Sequence, residues 1–501
     1  MKIKYLLSVI AIVAVTKNSF AQYSQDAIRF SGGQPGSTAR IKGVGGAGTA
    51  VGGDLTSVSS NPAGLGFFTR SELSITPEYN NIKTNSTYFG TSSQATNNTG
   101  NLNNAALVIY QQLKKARGAD KTKGWLSVNY GIGYSRTNNY YENINYGGTN
   151  NSSSIGNYFA SLANGSKQSD NQGYYLPSGS LESWAYNHYL IEENNGNFTS
   201  NAQPNGNQQV NISRTGGLSE LDFSLGANYS NKLYIGLGLG FTTLRYNSTS
   251  LFSESGNVIL PATPTLPAEQ LDYSTGFAQD QSTRGTGFNA RLGLIYKPVE
   301  AVRLGATFTT PTWYSIDDVY SEGLRTRYPS STTNSDFEDR TDQPYALTYN
   351  LRTPYKVAGG IAVFIKQFGF ITGDIEYVDY TSTHLSSNDS YDADYRDNPE
   401  IKTLYKSAVN YRIGAEARLT NFFMLRGGYG IQGDYRKNYG SDIKTASGGI
   451  GLRFANYYLD ATYMHSTGSQ TVFPYEIGSN TPSALINKTN NSAFLTLGYR
   501  F

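Results

Sequence analysis

Three histidines, His188, His384 and His465, and no cysteine serve the whole 501-residue chain. They stand at no metal-ligand spacing, and spacing reveals no Ser-His-Asp arrangement, so acid–base, nucleophilic and metal chemistry find little to use. Gly43, Gly45 and Gly48 are the other chemical signal. In "IKGVGGAGTAVGGDLTSVSSNPAGLGFF" (41–68) they spell G-x-G-x-x-G, the spacing of a dinucleotide-binding turn. Such a turn needs a strand before it, a helix after it and an acidic residue about 20 positions on. Here "PGSTARIK" precedes the glycines, Asp54 follows within a few residues, and no parallel α/β alternation comes after. The stretch reads better as a compact plug. Glycine lets backbone pack closely and turn sharply, and Pro62 biases Asn61 toward an extended or turn conformation. Neither enzyme activity nor a cofactor is expected.

The elements that must hold such a plug are strands. "LYIGLGLGF" (233–241) sets Leu233, Ile235, Leu237, Leu239 and Phe241 on one face; "FNARLGLIY" (288–296) and "YRIGAEARL" (411–419) alternate in the same way. A period of two is the strand signature. By that parity Arg291, Asp374, Glu376, Arg412, Glu416 and Arg418 fall opposite the apolar faces. A soluble sandwich would expose them to water, whereas a membrane barrel would turn them into its lumen and its apolar faces into lipid. Inside a lumen they are expected to form mutually neutralising ladders across neighbouring strands.

Connections separate the two folds. Strands near 71–90, 102–112, 124–135, 218–230, 232–246, 284–297, 302–313, 345–366, 369–380, 407–418, 422–430, 444–454, 456–464 and 492–501 make about fourteen. Short turns such as "SN", "KQF" and "FAN" alternate with long polar loops at 136–217, 247–283, 314–344, 381–406, 431–443 and 465–491. An even strand number with short turns on one side and long loops on the other is the pattern of an all-β transmembrane antiparallel barrel. Lys2 and Lys4 before "YLLSVIAIVAV", then small residues at Ser19 and Ala21, predict a signal peptide over 1–21. The hatch is then 22–70 and the barrel 71–501, in the outer membrane of a Gram-negative cell. The chain ends on Phe501, which closes an amphipathic strand as the signal read by the barrel-assembly machinery does. Forty basic against 37 acidic residues point to no nucleic acid. Outer-membrane lipid is the expected surround, and a monomer the expected state.

"ARIKGVGGAGTAVGGDLTSVSSNPAGLGFF" resembles the N-terminal hatch of the FadL/TodX outer-membrane hydrophobe transporters, including their Asn-Pro-Ala element at Asn61, Pro62 and Ala63. "GFNARLGLIYKPVEAVRLGATFTTP", "PYKVAGGIAVFIKQFGFITGDIEYVDY" and "YRIGAEARLTNFFMLRGGYG" resemble the family's later strand pairs. The resemblance implies a fourteen-stranded barrel with the N-terminal segment folded inside. It also implies passive uptake of long-chain fatty acids or other hydrophobic compounds, released past the hatch or sideways through a gap in the wall. Relatives of the PorV type carry a similar Asn-Pro element and act in protein secretion, so an interaction protein is the alternative. A haem-linked receptor is another.

Within that frame, "SIGNYFASLANG" and "LESWAYNHYLIEE" offer two amphipathic helices in one loop. Their Tyr158, Phe159, Leu162, Trp184, Tyr189 and Leu190 either capture the ligand or pack on each other to order the loop. Asn61, Pro62 and Ala63 either support gating or form a fixed turn. Ile28 and Phe30 are candidates to close the ligand pocket. Arg29 is expected to meet a ligand carboxylate or lumen carboxylates such as Asp374 or Glu376.

Overall fold

A computed structural model describes residues 21–501 except 117, 119, 171–172, 263–266, 330–335 and 388–390. The expected signal peptide lies outside the described residues, save for residue 21. The chain opens with helices α1 (Ala21–Ser31) and α2 (Ala39–Gly43), then single 3-10 turns at Leu55–Val58 and Pro62–Phe67. Among the described residues, fourteen strands of the barrel wall then follow in antiparallel order, with shorter strands in the connections between them. They are β1 (Glu72–Tyr88), β2 (Thr91–Ile109), β3 (Trp125–Asn139), β4 (Gly206–Tyr229), β5 (Leu233–Leu260) and β6 (Glu269–Val299). Next come β7 (Val302–Thr309, resumed at Trp313–Arg327), β8 (Tyr345–Arg352, resumed at Lys356–Ile365) and β9 (Gly369–Asp379). The last five are β10 (Ser407–Arg418), β11 (Phe423–Gln432), β12 (Ile443–Phe454), β13 (Tyr457–Val472) and β14 (Ala484–Arg500). β14 pairs with β1, with Leu73 opposite Tyr499 and Ile75 opposite Leu497, which closes the barrel.

Parity sorts the side chains as expected. Leu237, Leu239, Phe241, Leu292, Ile361, Ile371 and Ile413 point outward and are exposed. Two rows of exposed rings bound this apolar belt. One holds Tyr79, Phe241, Phe288, Trp313, Tyr411 and Tyr463; the other holds Trp125, Tyr229, Tyr296, Phe368, Phe422, Tyr457 and Phe501. Aromatic rows at both edges of an apolar belt are the interfacial girdles of a membrane barrel. No helix among the described residues is long and apolar enough to cross a membrane.

Several expected loops are strand instead. The segment 247–283 is mostly a hairpin extension, since β5 and β6 pair without a break up to Leu260 opposite Glu269. Residues 91–101, which fall between the first two expected strands, belong to β2. Parts of 136–217 belong to β3 and β4, parts of 314–344 to β7, and the ends of 465–491 to β13 and β14. Above the belt neither strand face meets lipid, so the apolar alternation that marks a strand in sequence is absent there. The long loops carry helices α3 (Ile155–Ser166), α4 (Leu181–Asn187) and α5 (Asp397–Leu404).

One strand leaves the wall. β2 pairs with β3 only from Asn104–Ser135 to Ile109–Tyr130. Beyond it the chain continues as Glu142–Asn150, which pairs with upper β4 alone. Glu142 then meets Arg214 of β4 at 3.1 Å and Lys488 of β14 at 3.0 Å, so this segment crosses inside β1 and β2. The hatch fills the place left behind. Gln34 N donates to Thr137 O at 3.0 Å and Ser37 N to Asn103 Oδ1 at 2.8 Å.

Candidate functional site

The hatch is fixed to the lower wall by polar bonds and by glycine. Thr38 caps α2, and its hydroxyl donates to Asp54 at 2.8 Å. Arg40 grips Glu416 through both carboxylate oxygens, at 2.8 and 3.1 Å, a bidentate geometry that adds direction to strength. Asn61 caps the turn that follows it: Oδ1 accepts from Ala63 N at 3.1 Å, while Nδ2 donates to Thr49 O at 2.7 Å and to Leu294 O on the wall at 3.4 Å. A Cβ on Gly236 would sit 2.2 Å from Pro62 C, and one on Gly293 would sit 2.1 Å from Asn61 Oδ1. Glycine at these wall positions therefore makes the seat for Asn61, Pro62 and Ala63, which are all buried. Gly45 of the G-x-G-x-x-G run has φ +71 and lies on Ile413 and Tyr429 backbone. Close approach to the wall, not a nucleotide, is what requires it.

Around the hatch the lumen charges pair. Arg291 holds Glu220 and Asp222. Arg412 meets Glu376 at 2.8 Å, and Arg426 joins Glu416 at 2.8 Å and Asp460 at 2.7 Å. Asp374 accepts from Thr49 N at 2.9 Å and so ties the hatch to β9. Arg418 does not belong to this set. Its side chain is exposed at the short-turn end of β10, beyond the last lumen-facing position. A cavity of about 140 Å³ between the hatch and the wall is lined by Pro35 and Thr49 on the hatch side and by Thr242, Arg291, Lys356 and Glu376 on the wall side.

Above this polar floor the lumen turns apolar. α1 buries Tyr23, Ala27, Ile28 and Phe30 in a cluster with Leu218, Leu244, Tyr314, Ile316, Leu351, Val378 and Ile401. Phe30 is 1% exposed and meets Tyr140 and Tyr246 edge-on, at ring separations of 5.9 and 5.6 Å. Tyr23 meets Tyr349 at 5.4 Å and Tyr391 at 5.5 Å. Edge-to-face rings at such separations add about 0.5–1.5 kcal/mol beyond burial. Arg29 reaches neither Asp374 nor Glu376. It pairs with Asp26 one helical turn away and lies 4.9 Å from the Tyr246 ring centre, because α1 sits too high to meet the ladder. Asp26 Oδ2 in turn accepts from Gln281 at 2.7 Å. These tyrosine pairs lie outside the expected site residues; the inward parity of Tyr246 on β5 and Tyr314 on β7 is the sequence signal that marks them.

A second apolar cluster lies higher, beneath α3 and α4. Phe159 and Leu190 are fully buried in it and Trp184 nearly so, while Tyr158 and Leu162 are half-buried against it. Tyr189 alone is exposed, packed edge-on to Phe337 at 5.7 Å. The buried Glu254 carboxylate anchors the first turn of α3, accepting from Ile155 N at 3.2 Å. Of the histidines, His188 is buried, its ring nitrogens 3.1 Å from Thr326 and Asp339. Burial pushes its imidazole below the usual range while Asp339 pulls the other way. His465 is exposed on β13 and lies far from it in the barrel order.

No family model and no curated protein matches the chain by sequence. Solved structures do match by shape. A Pseudomonas aeruginosa FadL homologue superposes with a TM-score of 0.52 at 13% identity, over 94% of this chain and all of that one. The toluene transporter TodX of P. putida superposes at 0.50 and 13% identity, over 94% of this chain and 99% of its own. This chain has the FadL/TodX fold. Like the fold it shares, it is a closed fourteen-stranded barrel with its N-terminal segment inside.

Proposed function

We propose that this FadL/TodX-fold barrel sits in the outer membrane and passes hydrophobic small molecules inward without an energy source. The observation that carries the reading is the sequence of surfaces along the lumen: two apolar clusters above, then a charged and hydroxyl-rich floor. An apolar solute is favoured in the upper part and penalised in the lower, since burying charges and hydroxyls beside it forfeits their hydration. The matching solved structures include a toluene transporter, which agrees with this solute class.

In this reading Tyr189, Tyr158 and Leu162, with Phe159, Trp184 and Leu190 beneath them, form the capture surface once α3 and α4 part. Ile28 and Phe30 close the pocket below, and Asn61, Pro62 and Ala63 support the gate by holding the hatch to the wall. The solute leaves sideways where β3 turns inward, with residues 32–37 as the piece that yields. Phe501 serves barrel assembly, and the remaining lumen pairs are structural. The test is uptake of labelled long-chain fatty acid and of toluene by a deletion strain. Uptake at wild-type rates for both would sink the proposal.

A further inference from the structure

The outer face of the barrel carries an arrangement that the transport reading does not use. On β5 and β6 the outward residues pair in register: Phe241 opposite Phe288, Thr243 opposite Thr286, then Arg245 opposite Arg284. All six are exposed. The two phenylalanines belong to the upper aromatic girdle, where Phe288 stacks on Trp313 at 5.2 Å and Phe241 meets Phe223 at 6.1 Å. The arginine pair lies four residues above that row, two outward positions along each strand, at the height of the outer-leaflet headgroups.

Directly opposed residues on one sheet face have Cβ atoms about 5 Å apart, and like charges so placed repel. Among the described residues no carboxylate oxygen lies within 4.0 Å of either guanidinium. Gly217 of β4 is the neighbour of Arg245 on its other side and offers no counter-charge. Asp317 of β7 faces Arg284, but its Oδ1 accepts from Thr348 Oγ1 at 2.7 Å and no ion pair forms. Asp280 lies four residues further up β6. Two forked guanidiniums over an aromatic and lipid-facing row present their donors to one anion, and guanidinium geometry matches phosphate oxygens.

We propose that Arg245 and Arg284 bind the phosphate of an outer-leaflet lipid headgroup, with Phe241, Phe288 and Trp313 against its acyl chains. The proposal rests on the membrane placement and not on what the lumen carries. It is tested by native mass spectrometry of the detergent-solubilised protein with diphosphorylated lipid A, phosphate-free lipid A and inorganic phosphate as separate probes. The wild type should retain diphosphorylated lipid A about tenfold better than Arg245→Gln/Arg284→Gln, the loss of a charge-assisted hydrogen bond or two. Arg245→Glu gives Arg284 an opposed carboxylate and has only Gly217 on its other side, so it should melt no lower than wild type while losing the lipid. Equal retention of phosphate-free lipid A, or of diphosphorylated lipid A by the variants, would overturn the site. Binding of inorganic phosphate without preference for the lipid would overturn the lipid assignment. Uptake of hydrophobes should be unchanged in both variants, so failure of this site and failure of the transport reading remain distinguishable.

Discussion

The lower and upper halves of the lumen are built on different physics. Below, Arg40 fixes hatch to wall through a buried, directional ion pair, and Arg291, Arg412 and Arg426 tie the wall strands around it to one another in the same way. Such a seal is intolerant: a buried charge that loses its partner is strongly destabilising. Above, α1 and the loop helices are held mainly by apolar contact and edge-to-face rings. The apolar contact is non-directional, so another apolar body of similar size replaces it at little cost beyond that of the ring pairs. The difference teaches which half can open. On the proposed reading the floor stays shut, and the upper half exchanges one apolar occupant for another.

Substitutions in each half sharpen or break this contrast. The largest effect is expected from Arg291→Met, which leaves Glu220 and Asp222 buried without a cation; about 4 kcal/mol of barrel stability should be lost. It is read as unfolding at lower temperature in heat-modifiability gels. Next, Phe30→Ala empties a packed aromatic site and should cost about 3 kcal/mol, but only in the docking of α1. The chain has no cysteine, so a single reporter at Ser31→Cys should label faster in that background while the barrel melts unchanged. A matching drop in barrel melting would merge the two halves. Third, Arg40→Ala should weaken hatch attachment by about 2 kcal/mol, the scale of a charged hydrogen bond, seen as proteolysis of the hatch with the strands intact.

The smallest effect is one of pH. Burial pushes the Asp397 carboxyl of α5 up to about 6 from 3.8, against the pull of the Tyr391 hydroxyl at 2.8 Å and of Arg396. The folded loop therefore holds its proton more tightly than the unfolded one. Its contribution is complete below the unfolded value and is lost as pH rises through about 6. Hydrogen exchange over 391–404 should accelerate, beyond the intrinsic rate, between pH 4.5 and 7.5. Asp397→Asn should abolish that difference.

Much of this plan was legible in the sequence where lipid does the sorting. Leu237, Leu239 and Phe241 alternate because one side of β5 must be apolar, and the strand is visible for that reason. Residues 247–260 of the same strand carry no such mark, because no lipid touches them, and were expected as loop. Arg418 shows the limit of parity: it shares a face with Glu416 yet stands one step past the lumen. The inward turn of β3 after Asn139 left no local mark, since pairing with β4 continues through it and only the missing neighbour on the β2 side reveals it. The Asn61–Pro62–Ala63 element was legible, but its seat was not, because Gly236 and Gly293 are far away in sequence and meet it only in the closed barrel.

The central claim is that the upper lumen exchanges apolar occupants. It is tested most directly by purifying the folded barrel in mild detergent, extracting it with organic solvent and identifying what co-purifies by mass spectrometry. The account predicts a fatty acid or hydrocarbon enriched over a detergent blank, and diminished when Leu218→Arg places a charge in the α1 cluster. An extract no different from the blank, or a co-purifying protein in place of a small molecule, would contradict it.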